Sequence, residues 1–514
     1  MRRLATPRRL LGLFVVLAVL VSLVPLPAIL PGGTAPGTLQ PGSNDAASAS
    51  LIRPRTGPAP ALTRQVYGYL PWWNLDSGTA DRLQYNLLTT IAFFGIGIEP
   101  TGALDRTGFG YLAFVSPDAV AVMNGAHSHG VRVVPTFQLF GYGTLRDLRT
   151  FLGSGTAEKR FIAQAVDLIV ARRADGANLD FEPIPSDLTT AFVSFVARFR
   201  TVLRAKLPAS TLVVATDAYA PSALIRGLVP NVDALFVMAY DYRTAQSSVA
   251  GSTAPLDSSA ISVRSAIERY LTFAPAKKVF LGVPYYGYDW PVTSQEINAP
   301  VQTNAKKFGS AYSISYALVS DWLKAHPKTV VHRDETSGAA WFTYRDTDRG
   351  TYRQVWFEDP KSVGEKYDFA IQSGLGGVGI WALDNDRGYS GFWNLLQQKF
   401  RSPVHTAIVS GSLYHLAARN GQVEADIKAA VLSRGTVPET GRLVWAVRTV
   451  AGNHLVATGN VSVSVLPKGA RRPLVHVVLG NAALLPTGTY RLQLPFIAGA
   501  HRWAAPAFTF RQRY

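Results

Sequence analysis

Eight short apolar runs, separated mainly by stretches with helical periodicity, constrain the fold of this chain more than any other feature of its sequence. The runs are Val66–Leu70, Leu88–Ile96, Val131–Phe137, Gly176–Phe181, Leu212–Thr216, Ala234–Tyr240, Val279–Pro284 and Gly377–Leu383. Short, continuously apolar segments are typical of strands buried on both faces of a parallel sheet. Eight such strands with helices between them predict an α/β protein whose sheet closes into a (β/α)8 TIM barrel.

The composition of the chain changes on both sides of the barrel and once within it. Residues 31–63 are rich in Pro, Gly, Ala and Ser, which predicts a flexible linker. The barrel is expected over residues 64–402, with a small α+β insertion at about 291–365 between strands seven and eight, where polar and aromatic residues alternate. Short segments punctuated by Gly, Pro and Asn predict a C-terminal β-sandwich, immunoglobulin-like in length, over 403–514.

The N-terminus has the order of charged and apolar residues that export signals have. Four arginines among the first nine residues precede an apolar run from Leu10 to Val24, and prolines follow it. A membrane-spanning helix needs about 20 apolar residues, which here means reading through to Leu30. Residues 1–30 are therefore predicted to be a signal peptide, or a membrane anchor formed by residues 10–30. In both cases we expect the protein to be secreted or extracytoplasmic.

The chain is strongly basic, with a formal net charge of +17. Such a charge suits nucleic-acid binding, but export argues against a nucleic-acid partner. From residue 403 onward there are twelve Lys/Arg and three Asp/Glu, a net charge of +9. A basic surface outside the membrane attracts anionic cell-wall polymers, although it also simply keeps a protein soluble. The chain has no cysteine, so neither disulfides nor a thiolate metal site is predicted.

The segment from Asp175 to Glu182, with the sequence DGANLDFE, carries the strongest sign of chemistry. In a strand, Asn178, Asp180 and Glu182 share one face, and the apolar residues between them point the other way. A rise of about 3.3 Å per residue places Asp180 and Glu182 roughly 6.6 Å apart along the strand. Two carboxyl groups close together on one face are an arrangement that glycoside hydrolysis uses. Three polar groups inside an apolar barrel are costly unless they serve a site.

This segment resembles the D-G-x-D-x-D-x-E signature of glycoside hydrolase family 18, the chitinases and their relatives. The resemblance extends over about residues 64–400, in the family's order of strands. The other matching segments are Tyr67–Tyr69 of the first strand, Phe236–Tyr242 of the sixth, Gly377–Trp381 of the eighth, and Gln354–Asp359, which is similar to bacterial wall-active members related to spore-cortex enzymes. The resemblance implies a retaining hydrolase of β-1,4-linked N-acetylglucosamine glycans, without a metal or an organic cofactor.

The resemblance also implies a role for each matching residue. Glu182 would protonate the glycosidic oxygen, and the acetamide oxygen of the substrate would attack the anomeric carbon in place of a protein nucleophile. Asp180 would hold the acetamide N–H and stabilise the developing positive charge. Tyr240 would hydrogen-bond the acetamide oxygen, and Trp381 would stack on the sugar.

The remaining candidate residues support the substrate or the strand. Asn178, Asp241, Met238 and Tyr69 are predicted to bind substrate: Asp241 would contact sugar hydroxyls, and Met238 either packs beneath the sugar or fills the core. Asp175 and Gly176 belong to the structural part of the motif, where Asp175 would brace the start of the strand.

The sequence departs from the family pattern at two places. Asn178 stands where the signature has an acid, so Asp180 loses a partner with which it would share a proton. The third strand, at Val134–Gln138, lacks the usual Ser-x-Gly-Gly, which leaves the neighbouring sugar subsites open.

The expected substrate is an N-acetylated polysaccharide or oligosaccharide, and the sequence leaves chitin, chito-oligosaccharides and peptidoglycan open. The alternative is a catalytically inactive, lectin-like protein that binds chitin or peptidoglycan on the same barrel. The presence of Glu182 argues for the enzyme. The basic C-terminal domain is a candidate for binding cell-wall polymer, and we expect the protein to act as a monomer.

Overall fold

The computed structural model describes residues 51–140, 145–258, 261–401, 407–433, 435, 438–467, 469–505 and 507–512. The chain divides after Arg401 into two compact units, each with its own apolar core. The predicted signal peptide or anchor and the linker as far as residue 50 lie outside the described residues. Over the described ranges, no helix is both long and apolar enough to cross a lipid bilayer.

Eight parallel strands close into a barrel in the first unit, as predicted. The strands are β1 (Gln65–Pro71), β2 (Thr90–Gly97), β3 (Arg132–Phe140), β4 (Gly176–Glu182), β5 (Thr211–Asp217), β6 (Ala234–Met238), β7 (Val279–Pro284) and β13 (Gly377–Trp381). Around the barrel they follow the order β1-β13-β7-β6-β5-β4-β3-β2. The sixth and eighth strands end earlier than the apolar runs suggested, so Tyr240 and Asp241 lie just beyond β6.

Helices cover the outside of the barrel. The helix Gly155–Ala171 illustrates why they form: Ser154 caps its N-terminus, and Phe161, Ala165 and Ile169 bury one face at helical spacing. The α-helices of the barrel are Thr79–Arg82, Phe109–Phe114, Pro117–Ser128, Arg146–Leu152, Gly155–Ala171, Thr189–Lys206, Ser222–Leu228, Val263–Leu271, Pro360–Gln372 and Gly391–Phe400.

The barrel strands separate two apolar layers. Alternate residues belong to a large cluster between strands and helices, while the residues between them line the interior of the barrel. On β5, for example, Leu212 and Val214 pack outward, whereas Val213 packs inward against aromatic side chains. On β4, Leu179 and Phe181 belong to the outer layer. The strand's period of two therefore turns the polar residues of β4 toward the interior.

The insertion lies between β7 and β13, as predicted. Its elements are β8 (Tyr286–Val292), Ala305–Phe308, β9 (Tyr312–Ser315), Tyr316–Ala325, β10 (His332–Arg333), β11 (Ala340–Asp346) and β12 (Thr351–Phe357). The strands form an antiparallel five-stranded sheet of order β10-β11-β12-β8-β9. A buried ion pair of 2.7 Å between Arg353 and Asp289 joins β12 to β8, and the hydroxyls of Tyr312 and Tyr344 also donate to Asp289.

The second unit consists of antiparallel sheets around one apolar core. Its strands are β14 (Ala407–Arg419), β15 (Gln422–Ser433), β16 (Glu439–Thr449), β17 (Leu455–Val465), β18 (Ala470–Arg471), β19 (Leu474–Asn481), β20 (Gly488–Gln493), β21 (Pro495–Ala498), β22 (His501–Ala504) and β23 (Phe508–Gln512). The longest hairpin, β14–β15, was not predicted, although Asn420 and Gly421 between the strands both have positive φ, as hairpin turns of the Asn-Gly type require.

The described end of the predicted linker, residues 51–63, packs on the barrel and so differs from the flexible tether expected there. Ile52 is fully buried in the outer apolar layer, and Arg53 donates its backbone N–H to the side chain of Asn124. Leu62 pairs with Arg401. The composition of the segment did not predict this packing, because one buried isoleucine and a few backbone hydrogen bonds produce no recognisable pattern in a Pro- and Ala-rich sequence.

Candidate active site

Strand β4 brings three predicted site residues to the interior of the barrel. Asn178 and Asp180 are buried, with Asp180 only 3% exposed, and Glu182 is partly exposed at the carboxyl end of the strand. Active sites of such barrels lie at this end of the strands. The carboxyl end of β4 thus presents the carboxyl groups of Asp180 and Glu182 to a ligand, while Asn178 lies deeper in the barrel.

Asp180 and Glu182 share a hydrogen bond, and their surroundings keep both reluctant to ionise. Burial first, and then the charge of Asp217, raise the pKa of Asp180, and the hydrogen bond with Glu182 lowers it. The net result is a pKa of about 7. The pKa of Glu182 is raised well above its ordinary value by burial first, and then by the charges of Asp180 and Asp217. Glu182 therefore keeps its proton longest and donates it in the hydrogen bond to Asp180. A protonated carboxyl at the mouth is what a general acid requires.

Asn178 is held from both sides. The hydroxyl of Tyr69 on β1 donates to Oδ1 of Asn178 over 3.1 Å, and Nδ2 of Asn178 donates to the carbonyl of Val213 over 3.4 Å. Both residues were predicted to bind substrate. In the structure, Asn178 and Tyr69 support each other inside the barrel, below the carboxyl pair.

Asp175 and Gly176 hold the start of β4. The carboxylate of Asp175 accepts hydrogen bonds from Arg55, from the ring of His127 and from the backbone N–H of Val133. Burial acts to raise the pKa of Asp175, but these bonds together hold it below its usual value. Gly176 has a φ of +149°, and a Cβ atom there would lie 1.9 Å from the carbonyl oxygen of Thr211. Both residues therefore fix the strand rather than face a ligand.

Asp241 is fixed by the insertion. Its Oδ1 accepts hydrogen bonds from Tyr286 over 2.6 Å, from Tyr288 over 3.0 Å and from Thr253 over 3.2 Å. The ring of Tyr240 lies 6.3 Å from that of Tyr286. The two tyrosines of β8 were not predicted as site residues, although the alternation YYGYDW after strand seven was a usable signal.

The charges at the mouth keep Tyr240 neutral. Burial first, and then the charges of Asp180, Asp241 and Glu182, raise the pKa of the Tyr240 phenol well above its ordinary value. Its hydroxyl thus remains a hydrogen-bond donor beside the carboxyl pair.

Trp381 stands at the end of β13 in a group of aromatic rings. Its ring lies 5.4 Å from that of Tyr69 and 4.7 Å from that of Phe94, both in edge-on geometry. Met238 belongs to the same interior cluster. Trp73, which was not predicted as a site residue, lies 6.3 Å from Trp381 and is 48% exposed. An aromatic surface therefore continues from the interior of the barrel to the solvent.

Two further polar residues join the site from neighbouring strands. Gln138 on β3 is aligned with Asp180, and both Oε1 of Gln138 and Oδ1 of Asp180 are buried with no hydrogen-bond partner in the part of the chain that the structure describes. Buried acceptors of this kind call for a ligand that donates hydrogen bonds. Asp217 ends β5 beside Met238 of β6. Neither residue was predicted, because neither belongs to a recognisable motif.

Among the described residues, no group of three or more His, Cys, Asp or Glu side chains is arranged to hold a metal ion.

Comparisons with known proteins agree on the family. Residues 132–386 match the sequence model described as glycosyl hydrolases family 18. The chain is 24% identical to a putative sporulation-specific glycosylase of Bacillus subtilis over 334 residues, 63% of this chain and 73% of that protein. It is 26% identical to the di-N-acetylchitobiase of Mus musculus over 277 residues, 50% of this chain and 71% of that protein.

Solved structures share the fold. A GH18 chitinase from Cycas revoluta in complex with (GlcNAc)3 is similar with a TM-score of 0.56 and 19% identity, covering 65% of this chain and 99% of that one. The catalytic domain 2 of a Group II chitinase from Ostrinia furnacalis gives a TM-score of 0.57 and 20% identity, with 65% of this chain and 95% of that one covered.

Proposed function

Because the barrel of this chain belongs to glycosyl hydrolase family 18 and the protein is therefore a glycosidase, we propose that it cleaves β-1,4-linked N-acetylglucosamine glycans with retention of anomeric configuration. The single observation that carries the proposal is the Asp180–Glu182 pair at the mouth of the barrel, in which Glu182 keeps its proton and one buried oxygen of Asp180 has no partner among the described residues. One residue can then protonate a leaving group while the other holds a donor of the substrate.

The proposed reaction uses the substrate's acetamide as the nucleophile. Glu182 protonates the glycosidic oxygen, and the acetamide oxygen attacks the anomeric carbon to form an oxazolinium ion. Oδ1 of Asp180, partnerless among the described residues, accepts the acetamide N–H, and the carboxylate stabilises the positive charge that develops on the ring. Glu182, now deprotonated, takes a proton from the water that opens the oxazolinium ion. Both substitutions occur at one carbon, so the configuration is retained.

The remaining mouth residues position the sugar in this proposal. The neutral hydroxyl of Tyr240 donates to the acetamide oxygen and aligns it for attack. Trp381 stacks on the apolar face of the reacting sugar, above Met238. Asp241, whose Oδ1 accepts hydrogen bonds from three hydroxyls, contacts sugar hydroxyls in this proposal.

Peptidoglycan and chitin are both compatible substrates, since both contain N-acetylglucosamine. The names of the bacterial relatives, a sporulation-specific glycosylase and a cortical fragment-lytic enzyme of Bacillus anthracis, favour a wall substrate. We also propose that the protein acts outside the cytoplasmic membrane, because arginines precede an apolar run within residues 1–30, as in export signals.

Product analysis tests the proposal. Proton magnetic resonance of the first product released from N-acetylchitotetraose is expected to reveal the retained anomer, and oligosaccharides lacking the N-acetyl group at the reacting sugar are expected to be inert. A thiazoline mimic of the oxazolinium ion is expected to inhibit. Initial release of the inverted anomer would overturn the mechanism. Binding without hydrolysis of any N-acetylated glycan would instead favour a lectin-like protein. Parallel digestion of chitin and peptidoglycan identifies the natural polymer.

A further inference from the structure

Strand β4 brings two carboxyl groups to the mouth of the barrel, and the neighbouring strand β5 brings a third. Asn178, inward-facing like Asp180 and Glu182, is neutral, so β4 itself offers no third acid. Asp217 is the last residue of β5. Because Val213 faces the interior and the strand alternates, Asp217 four residues later faces the interior as well.

The register places Asp217 at the level of the carboxyl pair. β4 and β5 are paired as far as Leu179 opposite Val214, and the same offset continued for three more residues brings Glu182 and Asp217 to the same height. On the other side, Asp217 is paired with Met238 of β6. The strand end is fixed from outside by Tyr270, whose hydroxyl donates to the backbone carbonyl of Asp217 over 2.6 Å. The carboxyl group thus has a defined position next to Glu182.

With Asp241 beyond β6 as a fourth, the carboxyl groups gathered in this poorly hydrated mouth cannot all ionise at neutral pH. Burial raises the pKa of Asp217, and burial together with the charge of Asp217 raises the pKa of Asp180 and of Glu182. A charged Asp217 therefore disfavours ionisation of both members of the pair. Asp217 and Arg269 both act on the phenol of Tyr270, and Arg269 also donates to the carbonyl of Ala220. Asp241 and Tyr240 face the carboxyl pair from beyond β6.

We infer that Asp217 is a positioning residue that keeps Glu182 protonated by holding a negative charge beside it. The inference rests on the proposed role of Glu182 as proton donor and adds a residue from a different strand to it. The charge acts through Glu182 and Asp180, without contacting the glycosidic bond.

The test compares Asp217→Asn with the native protein over a pH series. The titration of the Glu182 carboxyl is followed by carbon-13 magnetic resonance of full-length protein labelled at glutamate side-chain carboxyls, and its signal is assigned by its loss in Glu182→Gln. Removing the charge is expected to lower the Glu182 midpoint by about one pH unit. Asp187→Asn is the matched control, since it removes a carboxylate that is close in sequence but 57% exposed, and it is expected to leave the midpoint in place.

Kinetics supplies a second readout. Both limbs of the pH dependence of kcat/KM are expected to move about one pH unit toward acid in Asp217→Asn, because the pKa of Asp180 and that of Glu182 both fall. A merely structural role would lower the plateau and leave the limbs in place. The double variant Asn178→Asp with Asp217→Asn returns a third carboxyl from β4 and is expected to move the limbs back.

The outcomes separate this inference from the proposed function. An unchanged Glu182 midpoint in Asp217→Asn overturns the inference even if the enzyme is active. A shifted midpoint in a protein that hydrolyses no N-acetylated glycan leaves the inference standing and removes the proposed function. If circular dichroism finds Asp217→Asn unfolded, Asp217→Ser removes the same charge with a smaller side chain and is judged by the same midpoint.

Discussion

Tyr69 of β1 and Asn178 of β4 meet inside the barrel, where a 3.1 Å hydrogen bond runs from the phenol to the amide oxygen. The amide group of Asn178 also donates to the carbonyl of Val213. Asn178 is therefore satisfied as a neutral side chain directly beneath Asp180. This arrangement leaves Asp180 free of a like charge at position 178, which gives the first prediction.

Asn178→Asp is expected to move the acidic limb of kcat/KM to higher pH. In the native protein, activity should rise through about pH 7, because Asp180 has a pKa of about 7 and must be ionised to stabilise the oxazolinium ion. A carboxylate at position 178 would raise that pKa further by like-charge repulsion. The variant should fold, since Tyr69 can donate to a carboxylate as well as to an amide. A limb that stays in place would mean that Asp180 is not the group that sets it.

Glu182→Gln is expected to lower kcat by about 10²–10⁴-fold or more while oligosaccharide binding changes little. The amide preserves the shape of the side chain but has no acidic proton to transfer. Turnover and isothermal titration with an N-acetylated oligosaccharide measure the two effects separately. Glu158→Gln is a suitable control, because its carboxylate pairs with Arg198 on the outer face of the barrel. Retention of half the native turnover would exclude Glu182 as the proton donor.

Trp73→Ala is expected to raise KM for a long oligosaccharide by about tenfold, an effect of roughly 1.4 kcal/mol that is reasonable for losing one aromatic stacking surface. A disaccharide substrate bound at Trp381 should be almost unaffected. The reason is that Trp73 is 48% exposed and extends the aromatic surface outward from Trp381. Tyr414→Ala, which removes a 60% exposed aromatic ring from the second unit, serves as control. Equal effects on long and short substrates would argue against a separate subsite.

Gly176→Ala is expected to destabilise the barrel unit by at least about 2 kcal/mol, seen as a lower Tm in calorimetry. The new Cβ would meet the carbonyl oxygen of Thr211 at 1.9 Å, and the φ of +149° is unfavourable for alanine. Gly155→Ala provides the comparison, because a Cβ at that position would have no atom within 4 Å and alanine suits a helix. Similar Tm values for the two variants would contradict the account of Gly176.

A chain that ends at Arg401 is expected to hydrolyse soluble oligosaccharides at the native rate but to bind less to insoluble wall polymer. All candidate catalytic residues lie in the first unit, whereas the net charge of +9 lies from residue 403 onward. Pelleting assays at increasing salt measure the retention, which should weaken for the full-length protein if charge is responsible. Equal retention of the full-length protein and of the chain that ends at Arg401 would contradict a role of the C-terminal domain in binding wall polymer.

Local sequence patterns were sufficient to predict the barrel strands and the three polar residues of β4 that face the interior. The alternation of Asn178, Asp180 and Glu182 with apolar residues has a period of two, and any strand converts that period into two faces. The same reasoning could have found the β14–β15 hairpin, since Asn420-Gly421 is a strong turn signal between two strands.

Only the closed barrel could decide which residues from other strands meet that trio. Asp217 and Gln138 each stand alone in sequence, and nothing near them marks them as partners of Glu182 or Asp180. Closure of the sheet sets the register between strands, and the register sets the electrostatic environment in which a carboxyl ionises. The local sequence thus determines which residues face the interior of the barrel. The pKa of each carboxyl group depends on its distances to the other charges, and these distances are set only when the strands have paired.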